Sequence, residues 1–365
     1  MRTALLLALV VGVCSGEVYR QPLIRRVSSM TRMINKGTWG DFVRRRDHER
    51  VNINQFGSYP QKVYDYQDIE YIANITIGCH ASVCNNKTKF DQKQSSTYQV
   101  NGQTWNLGFV AATASGFLGI DTLRFGGTTE QQLTVPVTTF GQATSMSTYY
   151  DYQDFDGPLG LAFQALATDN VMPPLINAIN QGLLDAPLFS VYLMHNGAQN
   201  GNGGVFTYGG VDNINCGDVI AYQPLSSATY FQFKMDGIKT GSYSNNKGWQ
   251  VNSDTGTSFI GGTPADVKAI AKELGAVWDE MDQLYTIDCK AQAWLTLTIG
   301  GRDYTISAAN LIVPGDKNNC WLALFELSFG GFGPEWILGY PFIREFCNIY
   351  DIGQKRIGFA LSKQI

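Results

Sequence analysis

The sequence predicts a chain dominated by β-strands, with a few short helices and two lobes. Strand-like runs rich in β-branched and aromatic residues lie between Gly, Asn and Asp turns over most of the 365 residues. The 39 glycines suit a fold with many tight turns. About 300 residues follow the N-terminal region, which is long for one hydrophobic core and therefore favours two lobes.

Local patterns predict the individual elements. Two segments are helical, Pro174–Gln181 and Pro264–Leu274, and the second has Thr263 as its N-cap and Gly275 as its stop. The clearest strands are Gln132–Thr138, Gly204–Tyr208, Tyr230–Met235, Leu295–Ile299, Gly358–Leu361 and the later part of Tyr64–Gly78.

An internal repeat supports two related lobes. Asp156–Ala162 and Trp336–Tyr340 each place apolar residues directly before Leu-Gly. Either copy alone is typical of an ordinary buried strand end, but the pair suggests that each lobe has one.

The N-terminus predicts secretion. Arg2 precedes an apolar run from Ala4 to Val13 and then small residues, so we expect residues 1–16 to be a signal peptide cleaved near Gly16. A buried helix is the alternative. No later stretch reaches the ~20 apolar residues of a membrane span. The expected location is extracellular or lysosomal, with no membrane partner.

Charge is unevenly distributed after the signal peptide. Residues 17–62 hold ten Lys/Arg and four Asp/Glu, a net +6, whereas residues 63–365 hold 16 Lys/Arg and 27 Asp/Glu, a net −11. A basic segment can dock on an acidic body and be released as carboxylates are protonated. We therefore interpret residues 17–65 as a propeptide. A solvated basic tail or a nucleic-acid arm is the alternative, and secretion disfavours nucleic acid.

Six cysteines remain once Cys14 has left with the signal peptide. An even number in a secreted chain predicts three disulfides, with fifteen possible connectivities. Zinc is a poor alternative because the chain has no C-x2-C pair and has only three histidines, so we expect no metal. Sequons at Asn74 and Asn86 predict glycosylation.

The most informative motif is Val251–Gly261, which contains Asp254-Thr255-Gly256-Thr257-Ser258. Gly256 allows a sharp turn, and the Thr and Ser hydroxyls can hold the carboxylate of Asp254 by hydrogen bonds. The motif is not the G-x-S-x-G of a serine hydrolase, and we find no P-loop or dinucleotide-binding turn.

This turn resembles the active-site turn of pepsin-like aspartic peptidases, and further motifs occur in the family's order. They are Phe155–Phe163, Asn180–Leu183, Leu188–Leu193, Gly209–Asp212, Trp336–Gly339 and Gln354–Ala360. The sequences of Asn180–Leu184 and Phe346–Gly353 most resemble those of nematode secreted or lysosomal members. The resemblance implies a bilobal acid-protease fold, with an N-terminal lobe at residues 66–225 and a C-terminal lobe at residues 226–365.

The resemblance also implies the disulfides and the partners. Cys79–Cys84 matches the small first-lobe disulfide and Cys289–Cys320 the second-lobe disulfide, which leaves Cys216 with Cys347. Such a protein is a monomer without a cofactor. It binds a peptide or protein substrate in the cleft between its lobes, and it binds its own propeptide.

The family's first Asp-Thr-Gly turn is missing. In the family the Ile-Thr-Ile-Gly strand leads through that turn to the Cys-x4-Cys loop, but here Gly78 is followed directly by Cys79. Asp254 is therefore the second aspartate of a dyad whose first member is absent, and the first lobe is expected to be incomplete. A skipped exon or a faulty gene model would also produce this gap.

The predicted flap departs from the family as well. The family's Tyr-Gly-x-Gly corresponds to Phe109-Val110-Ala111-Ala112, so the tyrosine hydroxyl and both glycines are lost. Tyr340 stands where the family usually has Asp. These point changes favour genuine loss of activity, since a faulty gene model does not explain them.

Three functional hypotheses follow. The chain is a secreted aspartic endopeptidase by family, inactive or severely impaired as written because Asp254 is alone. Alternatively, it is a silent pseudopeptidase that binds peptides or proteins. A third hypothesis, a dimer that joins two Asp254 turns, requires the first lobe to move aside.

Overall fold

The structure is a computed structural model that describes residues 18–24, 33–34, 36–41, 89–109, 112–126, 132–147, 157–194, 202–315, 320–327 and 333–363. The predicted signal peptide, most of the predicted propeptide, the strand expected before Gly78, the Cys79–Cys84 pair and the sequons at Asn74 and Asn86 lie outside these residues.

Strands dominate the described chain, as the sequence predicts. In chain order they are β1 (Tyr19–Ile24), β2 (Gln99–Phe109), β3 (Ala112–Phe125), β4 (Leu133–Met146), β5 (Leu188–Leu193), β6 (Asn202–Tyr208), β7 (Cys216–Pro224), β8 (Ser227–Ala228), β9 (Phe231–Met235), β10 (Gly237–Thr240), β11 (Tyr243–Asn245), β12 (Trp249–Ser253), β13 (Ile260–Gly262), β14 (Val277–Asp279), β15 (Leu284–Ile287), β16 (Leu295–Ile299), β17 (Arg302–Ile306), β18 (Ile312–Pro314), β19 (Cys320–Leu322), β20 (Leu324–Glu326), β21 (Trp336–Leu338), β22 (Phe346–Asp351) and β23 (Arg356–Ser362).

The α-helices are short and few. They are α1 (Pro174–Asn180), α2 (Pro264–Glu273), α3 (Ala308–Leu311) and α4 (Tyr340–Glu345). Both predicted helices are present within one residue of their expected ends. At the start of α2 the Thr263 hydroxyl accepts a hydrogen bond from the Asp266 amide, and Gly275 just beyond its end has φ +73°. The local capping signals therefore predicted this helix correctly.

The described strands form five sheets. The central one has the order β1-β6-β5-β22-β23-β7, and a second six-stranded sheet has the order β20-β13-β21-β12-β9-β8. The smaller sheets are β11-β10-β16-β17, β14-β15-β19-β18 and β2-β3-β4. This arrangement agrees with the strand-dominated fold that the resemblance implied.

Strand β1 comes from the predicted propeptide and lies at one edge of the central sheet. It pairs antiparallel with β6 from Tyr19 opposite Tyr208 to Ile24 opposite Asn202. Beside this pairing, Arg20 Nε lies 3.9 Å from an oxygen of the buried Asp212. The N-terminal segment is thus held by backbone pairing as well as by the opposite charges that the sequence suggested.

Two disulfides lie within the described residues. Cys216 on β7 is joined to Cys347 on β22, with their Cα atoms 6.0 Å apart and a sequence separation of 131. Cys289 is joined to Cys320 across 31 residues. The first bond links two strands that both pair with β23, so it fastens the central sheet.

One strand expectation is wrong. Residues 157–163, which contain the first copy of the repeat, are not part of any strand. The second copy forms β21, which pairs parallel with β12, the strand that leads to Asp254. A strand requires a hydrogen-bonded neighbour, and no described strand pairs with residues 157–163.

Candidate active site

Asp254 stands at the end of β12, in the interior of a six-stranded sheet. The neighbours of β12 are β21 on one side and β9 on the other. The Asp254 amide donates a hydrogen bond of 3.0 Å to the carbonyl of Leu338 on β21. The backbone that carries the carboxylate is therefore fixed by two flanking strands.

Both oxygens of the Asp254 carboxylate accept hydrogen bonds from its own turn. The Gly256 amide donates to Oδ1 at 2.8 Å, and the Thr257 hydroxyl donates to Oδ2 at 2.8 Å. Ser258 does not take part, contrary to the expectation for its hydroxyl. Its Oγ is buried without a hydrogen-bond partner in the described part of the chain.

Burial is the leading influence on the ionisation of Asp254. It raises the pKa of the carboxyl, whereas the hydrogen bonds from Gly256 and Thr257 lower it, and the net result is a pKa above the usual value. In the described residues no second carboxylate contributes to this balance. The group therefore favours its protonated form more than a free aspartate does.

The raised pKa of Asp254 predicts that Asp254→Asn stabilises the fold at neutral pH. A raised pKa in the folded state means that ionising the group costs stability, and the cost grows as pH rises above the unfolded value of ~3.9. We expect a gain in stability at pH 7 that disappears below about pH 4. Urea unfolding at both pH values measures it.

The control for this prediction is Asp303→Asn. The hydrogen bonds from Lys239 and Thr298 lower the pKa of Asp303, so its neutralisation should cost a little stability at pH 7. An Asp254→Asn variant that is less stable than the parent at pH 7 would contradict the interpretation.

The segment Leu338-Gly339-Tyr340 wraps behind the Asp254 turn. Besides the Leu338 carbonyl, the Tyr340 amide donates to the Thr257 carbonyl at 3.0 Å and the Tyr340 hydroxyl donates to the Thr255 carbonyl at 2.7 Å. A Cβ on Gly339 would lie 2.2 Å from the carbonyl oxygens of both Thr257 and Phe259. Only glycine allows this approach.

The first copy of the repeat has no such contact. No described atom lies within 4 Å of the Cβ that Gly160 would carry. Its neighbours Leu159 and Leu161 keep intermediate exposure, whereas Ile337 and Leu338 of the second copy are buried. The second copy therefore packs on the Asp254 turn, and no turn from the described residues meets the first copy.

A buried polar cluster lies directly beneath Asp254. The Ser253 hydroxyl is 2.8 Å from both Asn348 Oδ1 and the Tyr350 hydroxyl. Burial, and to a smaller extent the charge of Asp254, raises the pKa of Tyr350. Sequence reasoning missed this cluster and the hydrogen bond of Tyr340, because both join residues that lie 85 or more positions apart.

Part of the N-terminal segment covers the apolar surface beside the turn. Met33, Ile34 and Trp39 are buried in one cluster with Phe259 and Ile337, which flank the Asp254 turn in sequence and in the sheet. Its other members are Leu284, Trp321, Ala323, Phe325 and Leu327. The surface next to Asp254 therefore binds apolar side chains of the N-terminal segment.

The predicted flap lies in a hairpin. Strands β2 and β3 pair antiparallel up to Phe109 opposite Ala112. Val110 and Ala111 connect them and lie outside the described residues, as does the side chain of Phe109. The flap assignment stays a prediction, because the tip of this hairpin lies outside the described residues.

Neither a metal centre nor a membrane span emerges from the described residues. They contain no group of three or more His, Cys, Asp or Glu side chains that could hold a metal ion. None of the helices in this part of the chain has the length and apolar character to cross a bilayer.

Comparison with known proteins agrees with the geometry. The family model for eukaryotic aspartyl protease matches residues 64–362. Aspartic protease 6 of Caenorhabditis elegans is 48% identical over 390 aligned positions, with 100% of both chains covered. Aspartic protease 2 of Necator americanus is 35% identical, also over 100% of both chains. Human gastricsin is 29% identical over 94% of this chain and 95% of its own.

The alignment with Aspartic protease 6 is 25 positions longer than this chain, 390 against 365. The relative therefore has residues at positions where this chain has none. Together with the Asp254 turn, its Leu-Gly support and the strand-dominated fold, these matches show that the chain belongs to the eukaryotic aspartyl protease family.

Proposed function

We propose that this protein is a secreted aspartic endopeptidase by descent whose peptide hydrolysis is lost or severely impaired in the chain as written. The observation that carries the proposal is the contrast between the two Leu-Gly copies. Gly339 packs on the carbonyls of an intact Asp-Thr-Gly turn, whereas Gly160 meets no described atom. The sequence contains a single Asp-Thr-Gly.

The chemistry of the family requires two carboxylates. The ionised one takes a proton from a water molecule as the water attacks the amide carbon, and the protonated one hydrogen-bonds the carbonyl oxygen. Because the two carboxyl groups lie next to each other, they cannot both ionise, and so they share one proton. Asp254 can fill one role at a time, and each missing acid or base typically costs ~10²–10⁴-fold in rate.

The contacts of the N-terminal segment support its assignment as a propeptide that binds the rest of the protein. Strand β1 pairs with the body of the protein, and Met33, Ile34 and Trp39 pack beside the active-site turn. We propose a signal peptide at residues 1–16, a propeptide at residues 17–65, and lobes at residues 66–225 and 226–365. The apolar N-terminal run supports secretion, to the exterior or to lysosomes.

The direct test is proteolysis by the purified full-length chain at acid pH, with and without pepstatin. We expect no pepstatin-sensitive cleavage of a fluorogenic peptide above the rate of the Asp254→Asn variant. Pepstatin-sensitive turnover that depends on Asp254 would show an active enzyme and overturn the proposal.

The burial of Met33, Ile34 and Trp39 favours a second candidate, a silent peptide-binding protein. The same apolar surface would hold a peptide once the N-terminal segment has been removed. Calorimetric titration of the chain cleaved after residue 65 with an apolar, non-cleavable peptide tests this role. The expected result is saturable binding that Phe259→Ala weakens, and absence of binding would remove the candidate.

A further inference from the structure

Tyr340 and Asp254 are hydrogen-bonded to opposite sides of one peptide group. The carbonyl of Thr255 accepts a hydrogen bond of 2.7 Å from the Tyr340 hydroxyl. The amide of the same peptide group, which belongs to Gly256, donates a hydrogen bond of 2.8 Å to Asp254 Oδ1. The three groups therefore form a continuous chain of donors and acceptors.

We propose that Tyr340 is a positioning residue for Asp254, which holds the Thr255–Gly256 peptide so that its N–H faces the carboxylate. A hydrogen bond to a carbonyl polarises the peptide group and strengthens donation by its N–H. It also opposes rotation of the peptide plane, which would turn the N–H away. Both effects favour the ionised form of Asp254.

The hydroxyl is placed for this role by the packing of the ring. Tyr340 is 1% exposed and belongs to the main apolar core, and it begins α4 directly after Gly339. A buried hydroxyl needs a partner, and the Thr255 carbonyl supplies one. The ring thus fixes the hydroxyl and the hydroxyl fixes the peptide group.

Other titratable groups near Asp254 act differently. Tyr350 on β22 reaches Ser253 rather than the turn, and its pKa is raised chiefly by burial. Lys36 and Asp41, the charged residues among the described positions 33–41, have exposed side chains. Among the described contacts, Tyr340 is therefore the titratable side chain that acts on the peptide group holding Asp254 Oδ1.

The role of Tyr340 concerns the ionisation of Asp254 and not turnover. Only its relevance to catalysis rests on the proposed function. The test is an NMR titration of the Asp254 carboxyl carbon in the full-length chain and in Tyr340→Phe, which keeps the ring. We expect the pKa of Asp254 to be about 0.5 higher in the variant, since the ionised form loses support.

The matched control is Tyr304→Phe, which removes the hydroxyl of another buried core tyrosine, one whose described ring contacts are with Phe342, Phe346 and Phe359 and not with the turn. It should leave the Asp254 titration unchanged. An Asp254 pKa in Tyr340→Phe equal to that of the parent, or shifted equally by Tyr304→Phe, would overturn the proposal.

A measurement on the parent protein covers the case in which Tyr340→Phe does not fold. The NMR chemical shifts of the Gly256 amide nitrogen and of the Tyr340 ring carbon that bears the hydroxyl should both change with pH. The midpoint of each change should equal that of the Asp254 titration. A Tyr340 resonance that does not move in that pH range contradicts the coupling. Neither NMR measurement depends on proteolysis, so the role of Tyr340 can be tested even if the protein cleaves no peptide.

Discussion

Insertion of a first-lobe segment that carries Asp-Thr-Gly between Gly78 and Cys79 is expected to raise acid peptide hydrolysis by at least ~10²–10⁴-fold. The inserted carboxylate would share a proton with Asp254 and so supply the missing acid or base. It would also restore the strand that the first Leu-Gly copy lacks. The measurement is kcat/KM on a fluorogenic peptide at acid pH, with pepstatin inhibition.

Two variants of the chimera isolate the dyad. Asp254→Asn in the chimera, and Asn in place of the inserted Asp, should each return hydrolysis to the level of the parent chain. The parent chain cleaving the peptide as fast as the chimera would contradict the incomplete-dyad interpretation. A chimera that remains as slow as the parent, although it folds and binds pepstatin, would contradict it too.

Gly339→Ala is expected to destabilise the protein by about 3 kcal/mol or more. The added Cβ would lie 2.2 Å from the carbonyl oxygens of Thr257 and Phe259, and both are backbone atoms that cannot rotate aside. Relief of the clash requires β21 to separate from the Asp254 turn. The free energy of unfolding in urea at pH 7 measures the loss.

Gly160→Ala is the matched control, since it makes the same change in the other copy of the repeat. No described atom lies near the new Cβ, and Gly160 does not have a positive φ, so we expect a change within about 0.5 kcal/mol. Equal losses in the two variants would show that the first copy also packs on a turn. That outcome would remove the structural contrast on which the proposed function depends.

Features with local causes were predicted well from the sequence. The ends of α2 follow from Thr263 and Gly275, whose effects act within one helical turn. The carboxylate of Asp254 is bonded by Gly256 and Thr257, two and three residues further on. Short-range patterns of this kind are visible in any sequence that contains them.

Features that depend on a distant partner could not be predicted. Residues 157–163 resemble a strand of the family, but strand pairing depends on which other strand is present. The hydrogen bond of Tyr340 spans 85 residues, and the contact of Ser253 with Tyr350 spans 97. The edge position of β1 depends on β6, whose paired residues lie 178 (Ile24 to Asn202) to 189 (Tyr19 to Tyr208) positions away. Tertiary structure alone brings such groups together.

The place of β1 in the central sheet has a consequence for maturation. Proteolysis after residue 65 would separate β1 from the covalent chain, and its departure would leave the backbone N–H and C=O groups along one side of β6 without partners. An open edge of this kind recruits any available strand, including one from another molecule. A protein that has lost β1 must therefore pair, cover or blunt this edge, or it exposes a strand that can pair with another molecule.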